Sequence, residues 1–349
     1  MATQQSSLPL EQYKYQEIGR SVNTVVYKLY QKDENEKQFA LKTVPHQQNQ
    51  HQCQDECLDL INEFKILQNI DHPNIIKVYE LKQQNQLFNQ LQGEGSCYMA
   101  LELAQCDLVE LVNQQNIKKI QLDLRATQNI FNQICQSLLY LHSKNIVHND
   151  LKMDNFLVFK EDFQNKQFHI KLADFGHASQ INLDGNQQQQ QQSVYLQSIY
   201  DKFKNKNKNQ ISPEITSLLE QCENNSLNLF KNNKISDTSF EISKNLLQQI
   251  DLKKCDIFSL GVALFYSVLW KYPFRYAATE NDKFFKHIFN KNQEGFWGNF
   301  AKILIRVEKT STQKQIQNFQ DLVFQMLNPN FHERPSIQDV LVHPFFIDF

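Results

Sequence analysis

The spacing of apolar residues changes near Asp107, and this change divides the chain into two parts with different secondary structure. Before Asp107, short segments rich in β-branched and aromatic residues alternate with polar stretches, which is typical of strands. One helical pattern, Leu58–Leu67, interrupts them, and after Asp107 helical patterns prevail, as in Ile130–His142 and Leu322–Leu327. The predicted strands are Val22–Tyr30, Phe39–Val44, Ile75–Leu81 and Tyr98–Leu103. We therefore predict an α+β fold with a small, mainly β N-lobe that contains one key helix, and a larger, mainly α C-lobe.

The composition favours a globular protein and argues against two classes of partner. The chain has 349 residues, of which 41% are hydrophobic, so it can bury a large core. Its formal net charge of −2 offers no basic face to a nucleic acid or an anionic membrane. We expect neither as a partner.

The N-terminal residues and the cysteines bear on the compartment. The first residues lack the basic and apolar stretches of a secretion signal, and the longest apolar run, Ile257–Trp270, is too short for a membrane span. That run predicts a buried core helix. The seven cysteines are scattered without a C-x-x-C pair, as expected for reduced thiols, so we predict a cytoplasmic protein.

One group of metal-binding residue types needs weighing, because His46, His51, Cys53 and Cys57 lie close together. A structural metal site needs ligands locked in a closed geometry, and no second half-site follows with suitable spacing. We favour a Gln-rich surface loop that runs into a helix.

Several polar, low-complexity segments are predicted to be loop insertions, because such compositions cannot bury enough apolar surface to order themselves. These segments are Gln47–Asp55, Lys82–Ser96, Asn182–Gln192 and Lys202–Gln210.

The order of the charged residues suits phosphoryl transfer from ATP. That reaction needs a cation on the phosphates, hard ligands for Mg²⁺ and a carboxylate beside the acceptor hydroxyl. The strand Phe39–Lys42 ends in a lysine, and the helix after this strand carries Glu63, which is placed to pair with Lys42. A lone lysine on a strand is usually solvated, so Lys42 by itself does not indicate an active site.

Residues Ile146–Leu157 closely resemble the catalytic loop H-R-D-L-K-x-x-N of the eukaryotic protein kinases. Three further segments resemble, in the same order, the D-F-G segment, the start of the buried central helix of the large lobe and the end of the domain. They are Leu172–Gly176, Asp256–Gly261 and His332–Ser336 with His343–Phe346. The resemblance extends from about Tyr15 to Phe346 and implies the bilobal protein-kinase-like fold.

The form of the catalytic loop resembles that of the Ser/Thr kinases, because Lys152 follows Asp150 and Leu151. Later segments look most like the calcium/calmodulin-dependent kinase group. Because the sequence ends at Phe349, directly after the last motif, we expect no calmodulin-binding tail and no calcium control.

The resemblance implies a role for each matching residue. Asp150 would accept or orient the proton of the acceptor hydroxyl, and Lys152 would steady the γ-phosphate. Lys42 would contact the α- and β-phosphates, and Glu63 would orient Lys42. The implied Mg²⁺ ligands are Asn155 and Asp174. The implied ATP-binding residues are Ile18, Gly19, Val26, Ala40, Lys42, Leu101, Glu102, Ala104, Asp107 and Leu157.

Two departures from the family's pattern bear on activity. The phosphate-covering loop keeps Gly19 only, with Ser21 and Thr24 at the other two glycine positions, so we expect a stiffer loop and slower turnover or weaker ATP binding. Asn149 replaces the arginine that pairs with a phosphorylated activation segment, which points away from phosphate-switched activation.

These departures leave a pseudokinase or scaffold as the alternative function. Six polar groups that only catalysis requires argue against it, because they would be costly to bring together without ATP and metal. They are Lys42, Glu63, Asp150, Lys152, Asn155 and Asp174.

The end of the activation segment has two candidates. Ser212–Glu214 matches the family's A-P-E, but the gap to Asp256 is long; Glu241 has the usual spacing but lacks the proline. One of the two glutamates is expected to pair with Arg334. We favour Glu214.

The resulting domain prediction has four parts. They are an N-terminal tail (1–12), the N-lobe (13–101), a hinge (102–106) and the C-lobe (107–349), with insertions at about 182–210 and 215–250.

The substrate prediction depends on two aspartates. In relatives, acidic residues at the positions of Asp107 and Asp154 face basic side chains upstream of the phosphorylated residue, although Asp107 is also placed to bind the ATP ribose. We expect a protein substrate with Arg upstream of the target Ser or Thr, and a monomeric enzyme.

Overall fold

The computed structural model describes most of the chain, and its contacts divide into two compact units. The described residues are 12–21, 24–31, 38–45, 50–83, 95–117, 122–162, 165, 167–181, 212–216, 230–231, 234–235, 250–275 and 278–348. The first unit contains residues 1–105 together with 173–176, and the second contains 106–172 and 177–349.

The first unit is an antiparallel sheet of five strands with one long helix. Its elements are β1 (Lys14–Arg20), β2 (Val25–Tyr30), β3 (Phe39–Pro45), α1 (Gln50–Leu67), β4 (Val78–Gln83) and β5 (Gly95–Glu102). The strand order is β1-β2-β3-β5-β4, so β5 lies between β3 and β4. Four of these strands overlap predicted ones.

Strand β1 was not predicted, because it lacks the pattern on which the other predictions depend. Nearly all of its residues are exposed. Neither of its faces is therefore selected to be apolar, and its sequence does not alternate between apolar and polar residues. The buried core of this sheet comes from the other strands, through Leu29, Phe39, Leu41 and Tyr98.

Helix α1 begins at Gln50, earlier than the predicted Leu58. The prediction of a loop over Gln47–Asp55 is therefore wrong from Gln50 onward. Glutamine is a good helix former, and its low hydropathy hides a helix from a reading based on apolar spacing.

The second unit is mainly helical, with short strand pairs. Its elements are β6 (Cys106–Asp107), α2 (Leu108–Ile117), α3 (Leu124–Ser143), β7 (Ile146–Val147), β8 (Phe156–Asp162), β9 (Gln167–Leu172), β10 (Ser179–Gln180), β11 (Phe230–Lys231), β12 (Lys234–Ile235), α4 (Leu252–Leu269), α5 (Lys286–Phe289), α6 (Gln293–Gly298), α7 (Ala301–Val307), α8 (Gln313–Met326), α9 (Ile337–Leu341) and α10 (Pro344–Ile347). Strands β6, β8 and β9 form one small sheet, β7 pairs with β10, and β11 pairs with β12.

Helix α4 forms the core of the second unit, which confirms the predicted buried helix. It is apolar all round and buried along most of its length. Phe265 packs against Phe296, Trp297 and Phe300, with ring centroids 4.9–5.9 Å apart. The helix is capped by the next residue, Trp270, whose φ of 55° is left-handed.

The predicted insertions lie largely outside the described residues. Residues 84–94, 182–211, 217–229 and 236–249 are not described, and neither are 46–49, so His46 is among them. Within the predicted second insertion, the two short strands β11 and β12 form an antiparallel pair. Among the described helices, none is long and apolar enough to cross a bilayer.

The prediction that all cysteines are reduced is wrong for one pair. Cys57 on α1 is disulfide-bonded to Cys97 on β5. The two lie 40 residues apart in sequence, with nothing between them to indicate that helix and strand would bring them together. The side chains of His51 and Cys53 lie outside the described set.

Candidate active site

Lys42 forms two ion pairs within the first unit. Its Nζ atom lies 2.7 Å from Oε2 of Glu63 and 2.8 Å from Oδ1 of Asp174. The predicted pairing of Glu63 with Lys42 is thus present. Burial alone would lower the pKa of Lys42, but the Asp174 and Glu63 carboxylates outweigh it and raise that pKa, so the ammonium stays charged.

Glu63 is held from a second side by the backbone. The Phe175 N–H donates to Oε1 of Glu63 at 3.0 Å, while Oε2 accepts from Lys42. Burial raises the pKa of Glu63, and the Lys42 ammonium opposes this effect. Asp174 adopts a left-handed φ of 63°, which is rare for a residue other than glycine and occurs at functional sites.

The loop after β1 is closed by the two hydroxyl residues that replace glycines. The Ser21 and Thr24 hydroxyl oxygens lie 2.9 Å apart, the Thr24 N–H donates to Ser21 Oγ at 3.0 Å, and the Ser21 N–H donates to the Thr24 carbonyl at 2.8 Å. Glycine at these positions would make neither side-chain bond. The contacts support the expectation of a stiffer loop.

Except for Ala104, the predicted ATP-binding residues of the first unit lie on four neighbouring strands, β1, β2, β3 and β5. Ala40 on β3 is opposite Leu101 on β5, and Val26 on β2 is opposite Lys42. Glu102 accepts a hydrogen bond from the Lys77 N–H through Oε1. Ile18 and Gly19 lie on β1, where Ile18 is exposed, and Ala104 follows the end of β5. Their roles in ATP binding stay predictions.

The catalytic-loop residues of the second unit converge on Asp150. Its Oδ2 atom accepts from Lys152 Nζ at 2.8 Å and from Asn155 Nδ2 at 3.1 Å, and its carbonyl accepts from the same Nδ2 at 2.7 Å. Asp150 is buried, so these donors offset the cost of its charge. Both of these bonds of Asn155 use its NH₂ group, so neither involves its Oδ1 atom.

Asp256 anchors this loop, a role that the sequence did not reveal. Its carboxylate accepts from the backbone N–H groups of His148 and Asn149 at 2.9 and 2.8 Å, and His142 Nε2 lies 2.9 Å from it. Asp256 is 1% exposed and directly precedes the apolar run of its helix. A charged residue at such a position was the available signal, because buried carboxylates require partners.

Asn149 joins the catalytic loop to the segment that follows Asp174. Its Nδ2 group donates to the His177 carbonyl and to Ser179 Oγ, both at 3.0 Å. Strand β10, which contains Ser179, also pairs with β7, directly before the catalytic loop. Neutral hydrogen bonds thus hold this segment where an arginine would need a phosphate.

A cavity of about 130 Å³ opens beside the catalytic loop. Its lining includes Lys152, Asp154, Tyr266 and Tyr272, and the two tyrosine rings lie 4.9 Å apart. Burial raises the pKa of Tyr272, and Tyr266 and Asp154 add to the effect. The cavity therefore combines a carboxylate with aromatic rings.

Asp107 and Leu157, the predicted ATP-binding residues of the second unit, are paired across β6 and β8. The Glu110 N–H donates to Oδ1 of Asp107 at 2.7 Å. Burial raises the pKa of Asp107, and Asp154 adds to the effect while the Glu110 N–H opposes it. The roles of Asp107 in binding ATP and substrate stay predictions.

Glu214 pairs with Arg334, which confirms the preference over Glu241. The Nη1 and Nη2 atoms of Arg334 donate to the two carboxylate oxygens at 2.9 and 3.0 Å. Arg334 also donates to the carbonyls of Asn328 and Lys254, and its guanidinium lies over the Phe258 ring.

The donor types at the predicted metal ligands suit Mg²⁺. Asn155 and Asp174 supply hard oxygens, and Mg²⁺ is usually held by one or two carboxylates together with substrate phosphates. Among the residues described, no cluster of three or more His, Cys, Asp or Glu side chains forms a self-sufficient metal site. The roles of Asn155 and Asp174 as Mg²⁺ ligands stay predictions.

Comparison with known proteins agrees with this geometry. The chain matches the protein kinase domain family over residues 13–196 and 241–346. It is 27% identical over 289 residues to the Ser/Thr protein kinase par-4 of Caenorhabditis elegans, covering 82% of this chain and 35% of par-4. It is 29% identical over 290 residues to calcium-dependent protein kinase 5 of Plasmodium falciparum, covering 83% of this chain and 38% of that protein. The chain thus spans little more than a third of these relatives' length.

A solved structure shares the fold. A crystal structure of the Rad53 kinase domain and SCD2 aligns with a TM-score of 0.56 over 97% of this chain and 90% of that one, at 17% identity. The family match resumes at residue 241, whereas Arg334 is paired with Glu214. The bidentate ion pair between Arg334 and Glu214 is more direct evidence than the sequence match for which glutamate closes the activation segment.

Proposed function

Because the chain belongs to the protein kinase family, we propose that it transfers the γ-phosphate of Mg-ATP to Ser and Thr hydroxyls of protein substrates. The observation that carries the proposal is the buried carboxylate of Asp150, held by Lys152 and Asn155. A carboxylate fixed in this way beside a lysine is what transfer to a hydroxyl requires.

The proposed mechanism assigns each proton and charge to a residue. The substrate hydroxyl oxygen attacks the γ-phosphorus, its proton passes to the Asp150 carboxylate, and ADP leaves. Lys152 stabilises negative charge on the transferred group, and Lys42, oriented by Glu63, contacts the α- and β-phosphates. Asn155 and Asp174 would hold Mg²⁺, which when bound neutralises phosphate charge.

Incubation with radiolabelled Mg-ATP and a generic basic protein tests this function. We expect label on Ser and Thr of that protein or of the chain itself, and loss of the label when Mg²⁺ is chelated. ATP binding without any transfer would instead favour a scaffold, the function that the altered phosphate loop left open.

We further propose that the substrate carries Arg upstream of the target residue. Asp154 and the rings of Tyr266 and Tyr272 support this, because a guanidinium can pair with a carboxylate and stack on an aromatic face. Paired peptides that differ only by Arg or Ala upstream should differ about 2- to 5-fold in kcat/KM, less at high salt. Asp154→Asn should narrow that ratio, and selection for upstream acidic residues would contradict the proposal.

Activation without phosphorylation is the expected consequence of Asn149. Its bonds to the His177 carbonyl and Ser179 Oγ need no phosphate, so phosphatase treatment should leave most of the activity. Asn149→Ala removes both bonds and should lower the activity of the dephosphorylated protein. Loss of nearly all activity on dephosphorylation of the unaltered protein would show that another basic residue docks a phosphate.

Location and assembly are further proposals. We propose a cytoplasmic monomer, on the basis of the charge balance, which offers no basic face to an anionic membrane. The disulfide between Cys57 and Cys97 bears on this location, because disulfides in reducing compartments are usually transient or redox-sensing.

A further inference from the structure

The disulfide between Cys57 and Cys97 joins the helix of the first unit to its sheet. The Cα atoms of the two cysteines are 6.0 Å apart, a usual separation for such a bond. Cys97 on β5 is fully buried, whereas Cys57 on α1 is partly exposed. Cys57 is therefore the residue of the pair that solvent reaches.

Both ends of the disulfide lie close to the charged pair of the site. In the β3–β5 ladder, Cys97 is opposite Val44 and Met99 is opposite Lys42, two residues along. On the helix, Cys57 precedes Glu63 by six residues, which is about 9 Å along the axis. The disulfide fixes the first half of the helix on β5, the neighbour of the strand that carries Lys42, and the ion pair fixes the second half.

We propose that Cys57 and Cys97 form a thiol–disulfide exchange site for small thiols such as glutathione, and that the bond holds Glu63 on Lys42. The inference rests on the proposed function only where it concerns kinase activity. Oxidation would favour the paired arrangement of the two residues, and reduction would release the helix to depart from it more often.

The exchange conserves atoms and electrons. A glutathione thiolate attacks Cys57 Sγ, the disulfide breaks, and Cys97 leaves as a thiolate that takes up a proton. A second glutathione thiolate then attacks the glutathione sulfur of this mixed disulfide, which frees Cys57 and forms oxidised glutathione. Two electrons pass from two glutathione molecules to the cysteine pair, and oxidised glutathione reverses the reaction.

The other described cysteines are poor competitors for this reaction, because the thiolate is the reactive form. Burial raises the pKa of Cys106 to about 12, with help from Glu110 and other carboxylates. Burial also raises the pKa values of Cys135 and Cys255.

The first test identifies the bond and the attacked sulfur without any activity measurement. Peptide mapping of the oxidised protein should find Cys57 linked to Cys97. With oxidised glutathione, Cys97→Ser should gain one glutathione on Cys57, whereas Cys57→Ser should gain none on the buried Cys97. Linkage of Cys97 to another cysteine, or modification of Cys97 in preference to Cys57, would overturn the assignment.

The second test links the bond to the site. Reduction of the unaltered protein should speed amide exchange over residues 60–67 and lower kcat/KM about 5-fold or more. Cys57→Ser should behave like the reduced protein in both redox states, and Cys106→Ser should keep the response. The comparison of the oxidised with the reduced protein uses the unaltered chain. It can therefore be made even if Cys97→Ser does not fold.

The two readouts separate this proposal from the proposed function. A protein that transfers no phosphate in either state, yet changes its amide exchange on reduction, would contradict only the kinase assignment. Equal exchange and equal activity in the two redox states would overturn the role of the bond.

Discussion

Replacing Asp174 by alanine is expected to lower kcat about 1,000-fold or more, because the variant loses a carboxylate that fits Mg²⁺. The same carboxylate lies 2.8 Å from Lys42 Nζ, so the variant also loses one of the two partners of the lysine. Glu63 remains on Lys42, which should keep the ammonium in place. The expected defect is therefore in metal-dependent chemistry rather than in the fold.

Two measurements separate that defect from general damage. Calorimetric titration should show that Asp174→Ala binds ATP with little enhancement by Mg²⁺, while its thermal unfolding stays close to that of the unaltered protein. The matched control is Asp71→Ala, which removes an exposed aspartate of the same unit and should keep the activity. Undiminished phosphate transfer by Asp174→Ala would refute the assignment of the metal ligand.

The parts of the fold that the sequence predicted are those with a strong local pattern. Helix α4 has a long apolar run, and β2, β3 and β4 carry β-branched and aromatic residues, so length and spacing were sufficient. Strand β1 and the first two turns of α1 were missed for the opposite reason. Their stability comes from pairing and from the propensity of glutamine, and neither leaves an apolar pattern.

The candidate site follows the same division between local motif and long-range contact. The grouping of Asp150, Lys152 and Asn155 could be predicted, because five consecutive backbone steps hold them close. The bonds from Asp256 to the catalytic loop join residues that are 107 or 108 positions apart in the sequence. A short sequence motif cannot predict a contact over such a separation. The disulfide and the tyrosine cavity escaped prediction for the same reason.

Breaking the pair between Glu214 and Arg334 is expected to cost about 3–5 kcal/mol of the free energy of unfolding. The Arg334 side chain is fully buried and that of Glu214 nearly so, which leaves little water to solvate a charge that has lost its partner. Glu214→Gln keeps the shape of the side chain but removes its charge. Urea unfolding, followed by the fluorescence of the two tryptophans, should show a lower midpoint with an unchanged slope.

Two controls give this prediction its discriminating power. Lys291→Ala removes an exposed ion pair with Glu333 and should leave the midpoint almost unchanged, because water solvates the remaining carboxylate. Glu241→Gln changes the glutamate at which the family match resumes, and it should also leave the midpoint unchanged, because the guanidinium of Arg334 is already paired with Glu214. A large loss of stability in Glu241→Gln, with little in Glu214→Gln, would transfer the closure of the activation segment to residue 241. The stretch between residues 182 and 250 would then be one long insertion instead of two.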